Sequence, residues 1–411
     1  MAATTSADHP SPQALDRAVS AIASARRAVV ADRYAANSLA VEWRPLTELT
    51  SIAGEWRDLA ARTLEPNVFY EPAFALPAAE VFGGDAGAVL VWSGTSPRKL
   101  LGFFPARVEP RRYGFKLPVL VGWTHPYAPL GTPLVEREAA EPVIAAWLAH
   151  LADNPELPGL LLLPFLPTDG AFATTLDAIA RRAQMPSADF NVHQRAQLVP
   201  RDDRLLYVER TLGQHRHKEL RRYVRRLADV GAILFTTATE SPAVAKAVED
   251  FFDLEARGWK GQAGTAAAFH ADIRHFMTTA VAGLAAESKI AINRIFIDGR
   301  AVAVAITMRS GDTAWFWKIV YDEKFAQHSP GVVLTFAVTE DLVEDATLFR
   351  TDSCATANHP MIDHIWRERL ALADRLIAVR PQAPFPAARR LEKLRHAAIA
   401  TARAVRAQMH R

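Results

Sequence analysis

The stretch WFWKIVYDEKFAQHSPGVVL, residues 315–334, is a strand that feeds a helix through a tight turn. Trp315, Trp317 and Ile319 fall on one side of an aromatic strand, Tyr321 and Asp322 close it, and a short polar loop leads to Ser329-Pro330-Gly331. A helical pattern opens at once with Val332, Val333, Phe336, Val338 and Leu342. Such a junction leaves backbone N–H groups without partners at the positive end of a helix dipole, where a phosphate can dock. No Lys-Ser or Lys-Thr pair follows the glycine, so this is not the phosphate loop of a nucleotide hydrolase. The structural alternative is a helix capped by Ser329 with Pro330 in its first position.

A chain of 411 residues exceeds what one core usually holds, so two domains are expected. Half the residues are hydrophobic and 23% are charged, which is ordinary for a globular protein. The formal net charge of +3 makes no bulk electrostatic case for nucleic acid, and DNA is not an expected partner. A single cysteine, Cys354, excludes an intramolecular disulfide and a multi-cysteine metal site, and it fits a reducing compartment. The chain has neither a long unbroken apolar run nor a basic-then-apolar start, so the expected location is cytoplasmic, with no membrane-spanning segment.

Residues 1–12 read as disordered, and Ala14 to Ala40 is an Ala-rich helix candidate. A first domain over 41–200 opens with a strand at Val41-Glu42-Trp43 and a helix at 52–63. Strands follow at 87–92, 100–108, 117–121 and 160–166, with helices at 143–151 and 172–183. Residues 184–205 read as an irregular junction. A second domain over 201–380 repeats the order, with a helix at 214–230, a strand at 232–237 and helices at 243–257 and 272–286. Strands at 290–297 and 301–309, the Trp315 strand, the Val332 helix and a strand at 348–352 complete it. The fold class is therefore α/β (α+β). Residues 381–411 end the chain with a basic helix, its apolar stripe Leu391, Leu394, Ala398, Ala402 and Val405 offering at most weak contact with a membrane surface.

Strand, Tyr-Asp, short spacer, Ser-Pro-Gly and apolar helix together resemble the second half of the CelD/BcsL-type acyltransferases. These are a branch of the GNAT superfamily that is itself similar to the FemABX aminoacyl transferases. Other pieces stand in the family's order. Lys218 to Gly231, KELRRYVRRLADVG, resembles its basic helix and the approach to a strand. Phe251 to Gly261, FFDLEARGWKG, resembles a helix ending in an Arg-Trp element, here split by Gly258. Phe269 and Phe276 flank the next helix, and Ile297-Asp298-Gly299-Arg300 is a hairpin turn. The resemblance spans about Trp43 to Ala378. It implies two tandem GNAT-like domains, each a mixed, largely antiparallel sheet flanked by helices. Acyl-CoA enters as cosubstrate, and no permanently bound cofactor or metal is expected.

Acyl transfer from a thioester needs a held donor, an acceptor that loses a proton, and a stabilised carbonyl oxygen. Ser329, Pro330, Gly331, Val332 and Lys318 are the candidate donor cradle. Asp352, at a strand end, is the candidate base with His359 next in line, and Tyr321 would protonate the departing thiolate. The family shows a lysine and a tryptophan further on; Trp366 stands, but His or Asp around His359 to Asp363 replaces the lysine. Trp123, His125 and Tyr127, from an aromatic and proline-rich loop, with Trp259 and Asp322, would wall an acceptor cleft between the domains. The basic helix at 214–227 is either a solvated face or an anion cradle. The expected activity moves an acyl group to an amino or hydroxyl group of an envelope polysaccharide or lipid precursor. The alternatives are an aminoacyl-tRNA-dependent transferase and a non-catalytic binding protein on the same fold.

Overall fold

The computed structural model describes residues 39–94, 96–200, 218 and 220–409. The Ala-rich helix candidate falls almost entirely outside the described residues, as does the start of the basic helix with His215, Arg216 and His217. Among the described residues thirteen strands form one mixed sheet. In the first half, β1 (Leu39–Pro45) is followed by α1 (Ala53–Arg62) and α2 (Pro72–Phe82). Then come β2 (Gly87–Ser93), β3 (Leu100–Glu109), β4 (Val119–Gly122) and the short β5 (Leu134–Val135). Helix α3 (Ala140–Asp153) carries the chain across to β6 (Leu160–Pro167), which runs parallel to β4, and α4 (Ala171–Arg182) follows.

The second half repeats the plan. A helix at 220–228, α5, leads to β8 (Ile233–Ala238), α6 (Ser241–Arg257) and α7 (Ala271–Ala286). Strands β9 (Ile290–Ile297), β10 (Arg300–Ser310) and β11 (Thr313–Tyr321) form an antiparallel meander, and α8 (Pro330–Glu344) crosses to β12 (Arg350–Asp352), parallel to β11. Both halves thus place four strands in a meander and a fifth beyond a helical crossover.

Between the two sets lie two strands absent from the sequence-based expectation. The strand β7 (Ser187–Leu198) occupies most of the segment expected to be irregular, and β13 (Glu368–Ala378) follows β12. The order β4-β6-β13-β7-β12-β11 sets each beside the crossover strand of the other half. Their charged residues are satisfied by long-range partners. Arg375 bonds Asp189 at 2.8 Å and also pairs with Asp177, while Asp374 accepts from the backbone N–H of Phe165 and from Asn191.

Side-chain alternation explains the layers. On β2, Ala88, Leu90 and Trp92 pack toward α1 and α2, while Val89 and Val91 pack toward α3 and α4. The first of these cores continues without a break into the second half, through Phe276, Met277 and Leu284 of α7 and Trp315 and Trp317 of β11. The opposite face of the second half packs Val333, Leu334, Phe336 and Val338 of α8 against Phe316. The C-terminal helix α9 (Phe385–Met409) docks through Phe385, Ala388 and Glu392 rather than through the expected apolar stripe, of which Leu394 is exposed. Glu392, fully buried, is held by Arg112 at 2.9 Å. Among the described residues no helix is long and apolar enough to cross a membrane.

Candidate active site

Strands β11 and β12 pair over three positions only: Thr313 with Arg350, Ala314 with Thr351, and Trp315 with Asp352. Beyond that point β11 stays on β10, whereas Ser353 donates its N–H to Ala196 of β7. The two strands therefore diverge, and a wedge opens in the sheet. N–H and C=O groups on that edge of β11 have no strand opposite them. Within the wedge β11 carries a bulge. Ile306 faces Lys318 and Thr307 faces Phe316, so Trp317 is the extra residue, and Trp317 and Lys318 both reach the same cleft.

Helix α8 opens at the mouth of the wedge. Ser329 is in the left-handed region (φ 52°, ψ 49°) and makes no side-chain capping bond, which corrects the reading of it as a hydroxyl cap. No acidic residue sits in the first turn. The N–H groups of Gly331 and Val332 belong to a helix start without a capping side chain, and both residues line a cleft of about 540 Å³. Ser329, Tyr321, His359 and Trp259 line the same cleft, so six of the expected residues do come together. Tyr321, 40% exposed, lies over Gly331. A neighbouring cleft of about 440 Å³ shares Val332, Pro360 and Met361 and runs under Leu220 and Tyr223 of α5.

Other expected residues stand elsewhere. Asp352 is buried, ion-paired to Arg195, and accepts from the N–H of Cys354 at 3.0 Å. Its register partner, Trp315, lies six residues before Tyr321 on β11, a strand distance of about 20 Å. Tyr321 and Asp352 therefore cannot touch one acceptor atom together. His359 does face the cleft, but its Nδ1 accepts from the backbone N–H groups of Met361 and Ile362 at 3.3 and 3.4 Å. In the neutral ring the proton is then on Nε2, so His359 presents a donor rather than a base. Asp322 is spent on Arg300 at 2.6 Å and on capping Lys324.

Trp123 and His125 sit inside an aromatic cluster instead of a cleft wall. The His125 ring stacks on Phe82 at 4.3 Å, both its nitrogens lack partners among the described residues, and burial pushes its pKa down to about 3. Tyr127 lies beneath the ammonium of Lys318, 4.4 Å from the ring centroid. Lys318 itself faces a second cleft of about 370 Å³, between the two halves, and not the α8 turn.

The two clefts adjoin. On β11 the wall passes from one to the other between Lys318 and Ile319; on the loop after β12 it does so between Ala357 and His359. The clefts also contain residues that no local sequence pattern marks. Glu255 lines the larger cleft, bonded to Lys260 at 2.6 Å and to the N–H of Ala267 at 2.8 Å. Asn191, His193 and Arg195 of β7 line the smaller one. Their only signal is the alternation of β7, hidden by its polarity. Cys354 also lines it, but burial and the nearby Asp352 carboxylate push its thiol up, so it stays protonated and is no nucleophile.

Comparison with known proteins agrees with this geometry. Residues 214–357 match the family model described as acetyltransferase (GNAT) domain. No curated protein matches the chain. Among solved structures, the C-terminal domain of a protein named as a lysylphosphatidylglycerol synthetase from Agrobacterium fabrum is similar at 12% identity and a TM-score of 0.53. That match covers 85% of this chain and 96% of the other. FemX is similar at 8% identity and a TM-score of 0.53, over 79% of this chain and 95% of its own. These likenesses establish the fold, and the matched segment contains the wedge, the bulge and the α8 turn. Residues 214–357 of the second half thus match a GNAT acetyltransferase domain, and over most of its length the chain shares its fold with these two solved structures.

Proposed function

We propose that the protein is an acyl-CoA-dependent N- or O-acyltransferase, with the donor in the cleft at the α8 turn and the acceptor in the cleft beside it. One observation carries this reading: an uncapped helix start and a diverging strand pair open on one cavity, which adjoins a second. Coenzyme A pyrophosphate would sit on the N–H groups of Gly331 and Val332. The pantetheine would run along the open edge of β11, pairing with its backbone as a missing strand would. The thioester would then lie at the boundary between the clefts.

The acceptor's nitrogen or oxygen attacks the thioester carbonyl carbon, the new C–N or C–O bond forms, and the C–S bond breaks. The carbonyl oxygen gains charge against N–H groups of the bulged β11. Glu255 is the candidate to take the acceptor's proton, and Tyr321 gives one to the departing thiolate. The products are an acylated acceptor and free coenzyme A. We take the acceptor to be an envelope polysaccharide or lipid precursor, on the strength of the sequence resemblance.

Release of thiol from a panel of acyl-CoA donors, followed with and without candidate amines and alcohols, tests the reading. Turnover with aminoacyl-tRNA and with no acyl-CoA would overturn the donor. Tyr321→Phe keeps the ring on Gly331 and removes only the hydroxyl. It is expected to lower kcat about a hundredfold, the low end for a positioned acid, while acyl-CoA affinity stays within a factor of about three. An unchanged kcat would remove Tyr321 from the mechanism.

A further inference from the structure

The smaller cleft has an unusual charge balance. Among the described residues no carboxylate lines it. The Lys318 ammonium rests over the rings of Tyr127 at 4.4 Å and Trp317 at 5.6 Å, and among the described residues it has no hydrogen-bond or ion-pair partner. Arg195, 2% exposed, gives one terminal nitrogen to Asp352 and another to the Pro129 carbonyl at 2.9 Å. Its Nε–H is buried and bonds nothing among the described residues. Two cationic side chains thus line one cavity, one with no carboxylate in hydrogen-bond or ion-pair contact among the described residues and the other with a spare donor. Burying such groups costs free energy unless something completes them. That burial also holds the Lys318 pKa down to about 8; an anion beside it would reverse the shift.

We propose that this cleft holds the acceptor by an anionic group, a carboxylate or a phosphate, bound between Lys318 and Arg195. The inference rests on the donor reading above, which makes the cavity the acceptor's, and it narrows the acceptor to an amine or alcohol that carries such an anion. Phe165, Pro126 and Pro129 give the wall an apolar stretch. The acceptor's body would pack there, leaving its nucleophile free to point toward Ile319 and the thioester.

Two measurements on the full chain decide it. First, inorganic phosphate and, separately, acetate are titrated with coenzyme A at saturation, following the backbone amide resonances of Trp317 and Lys318. A saturable shift is expected, weakened at least tenfold in Lys318→Met and retained in Lys318→Arg. No saturable shift with either anion, or one that Lys318→Met leaves unchanged, overturns the proposal. Lys318→Arg keeps the charge should the methionine variant fold poorly. Second, acetyl-CoA consumption is compared for glycine against glycinamide and for glucosamine 6-phosphate against glucosamine. The anionic member should lead by at least tenfold in kcat/KM in the parent, with the lead lost in Lys318→Met. The pair with the larger lead tells carboxylate from phosphate, and a preference for both neutral members sinks the idea. A protein that binds no coenzyme A refutes the donor reading, while the same anion titration without coenzyme A still decides on Lys318.

Discussion

Gly331→Glu is expected to abolish acyl-CoA binding in a protein that still folds. Gly331 sits in the first turn of α8 without a left-handed φ, so other residues can adopt its backbone. An added Cβ would lie 3.0 Å from Cδ1 of Tyr321, a contact that a half-exposed ring can relieve by a small shift. The carboxylate beyond it would stand where the pyrophosphate is to rest. Placing like charges together costs several kcal/mol, and about 4 kcal/mol weakens Kd about a thousandfold. Gly331→Gln adds the same bulk without the charge and should lose far less. Calorimetric titration with coenzyme A separates the two; equal losses would mean that bulk, not charge, is excluded there. A glutamate variant that binds as tightly as the parent would move the donor site elsewhere.

Asp352→Ala is expected to destabilise the fold severely. It would leave the Arg195 guanidinium buried without its carboxylate and remove the acceptor for the Cys354 N–H. Breaking a buried pair from one side typically costs about 3–5 kcal/mol, because the remaining charge is uncompensated. Denaturant unfolding of the full chain measures it, and a loss below about 1 kcal/mol, the worth of an exposed pair, would mean that water reaches Arg195. In the sequence Asp352 reads as a base because it ends a strand. Its partner is 157 positions away, a relationship that no local pattern announces.

The same physics explains which elements can be read from the residues and which cannot. The Trp315 strand, the turn and α8 are legible because an aromatic strand, a Ser-Pro-Gly turn and an apolar helix each carry local signals. Four of the expected residues, Tyr321, Ser329, Gly331 and Val332, share a cleft for that reason, and Trp259 and His359 reach it from other segments. The strands β7 and β13 are not legible because they bury charge. SADFNVHQRAQL and ERLALADRLIA look like solvated chain until Arg195 meets Asp352 and Arg375 meets Asp177 and Asp189. Trp123 and His125 suggest a site through the density of rings around them. The rings instead find one another: His125 stacks on Phe82 and Phe74 and meets Phe276 edge-on, and Trp123 stacks on Tyr70, all within the core shared by the halves.

The exchange of β7 and β13 also sets a timetable for the ribosome. The strand β6, LLLLPFLP, pairs with β13 along one edge, yet roughly 200 residues separate the two in sequence; at about 5–20 residues per second, β6 emerges some 10–40 s before its neighbour exists. Throughout that interval a greasy edge strand is exposed, the kind of surface that recruits other nascent chains. A fragment ending near residue 200 carries the same bare edge permanently, so expressing the first half alone should yield inclusion bodies, and co-expressing residues 368–378 should draw it back into solution.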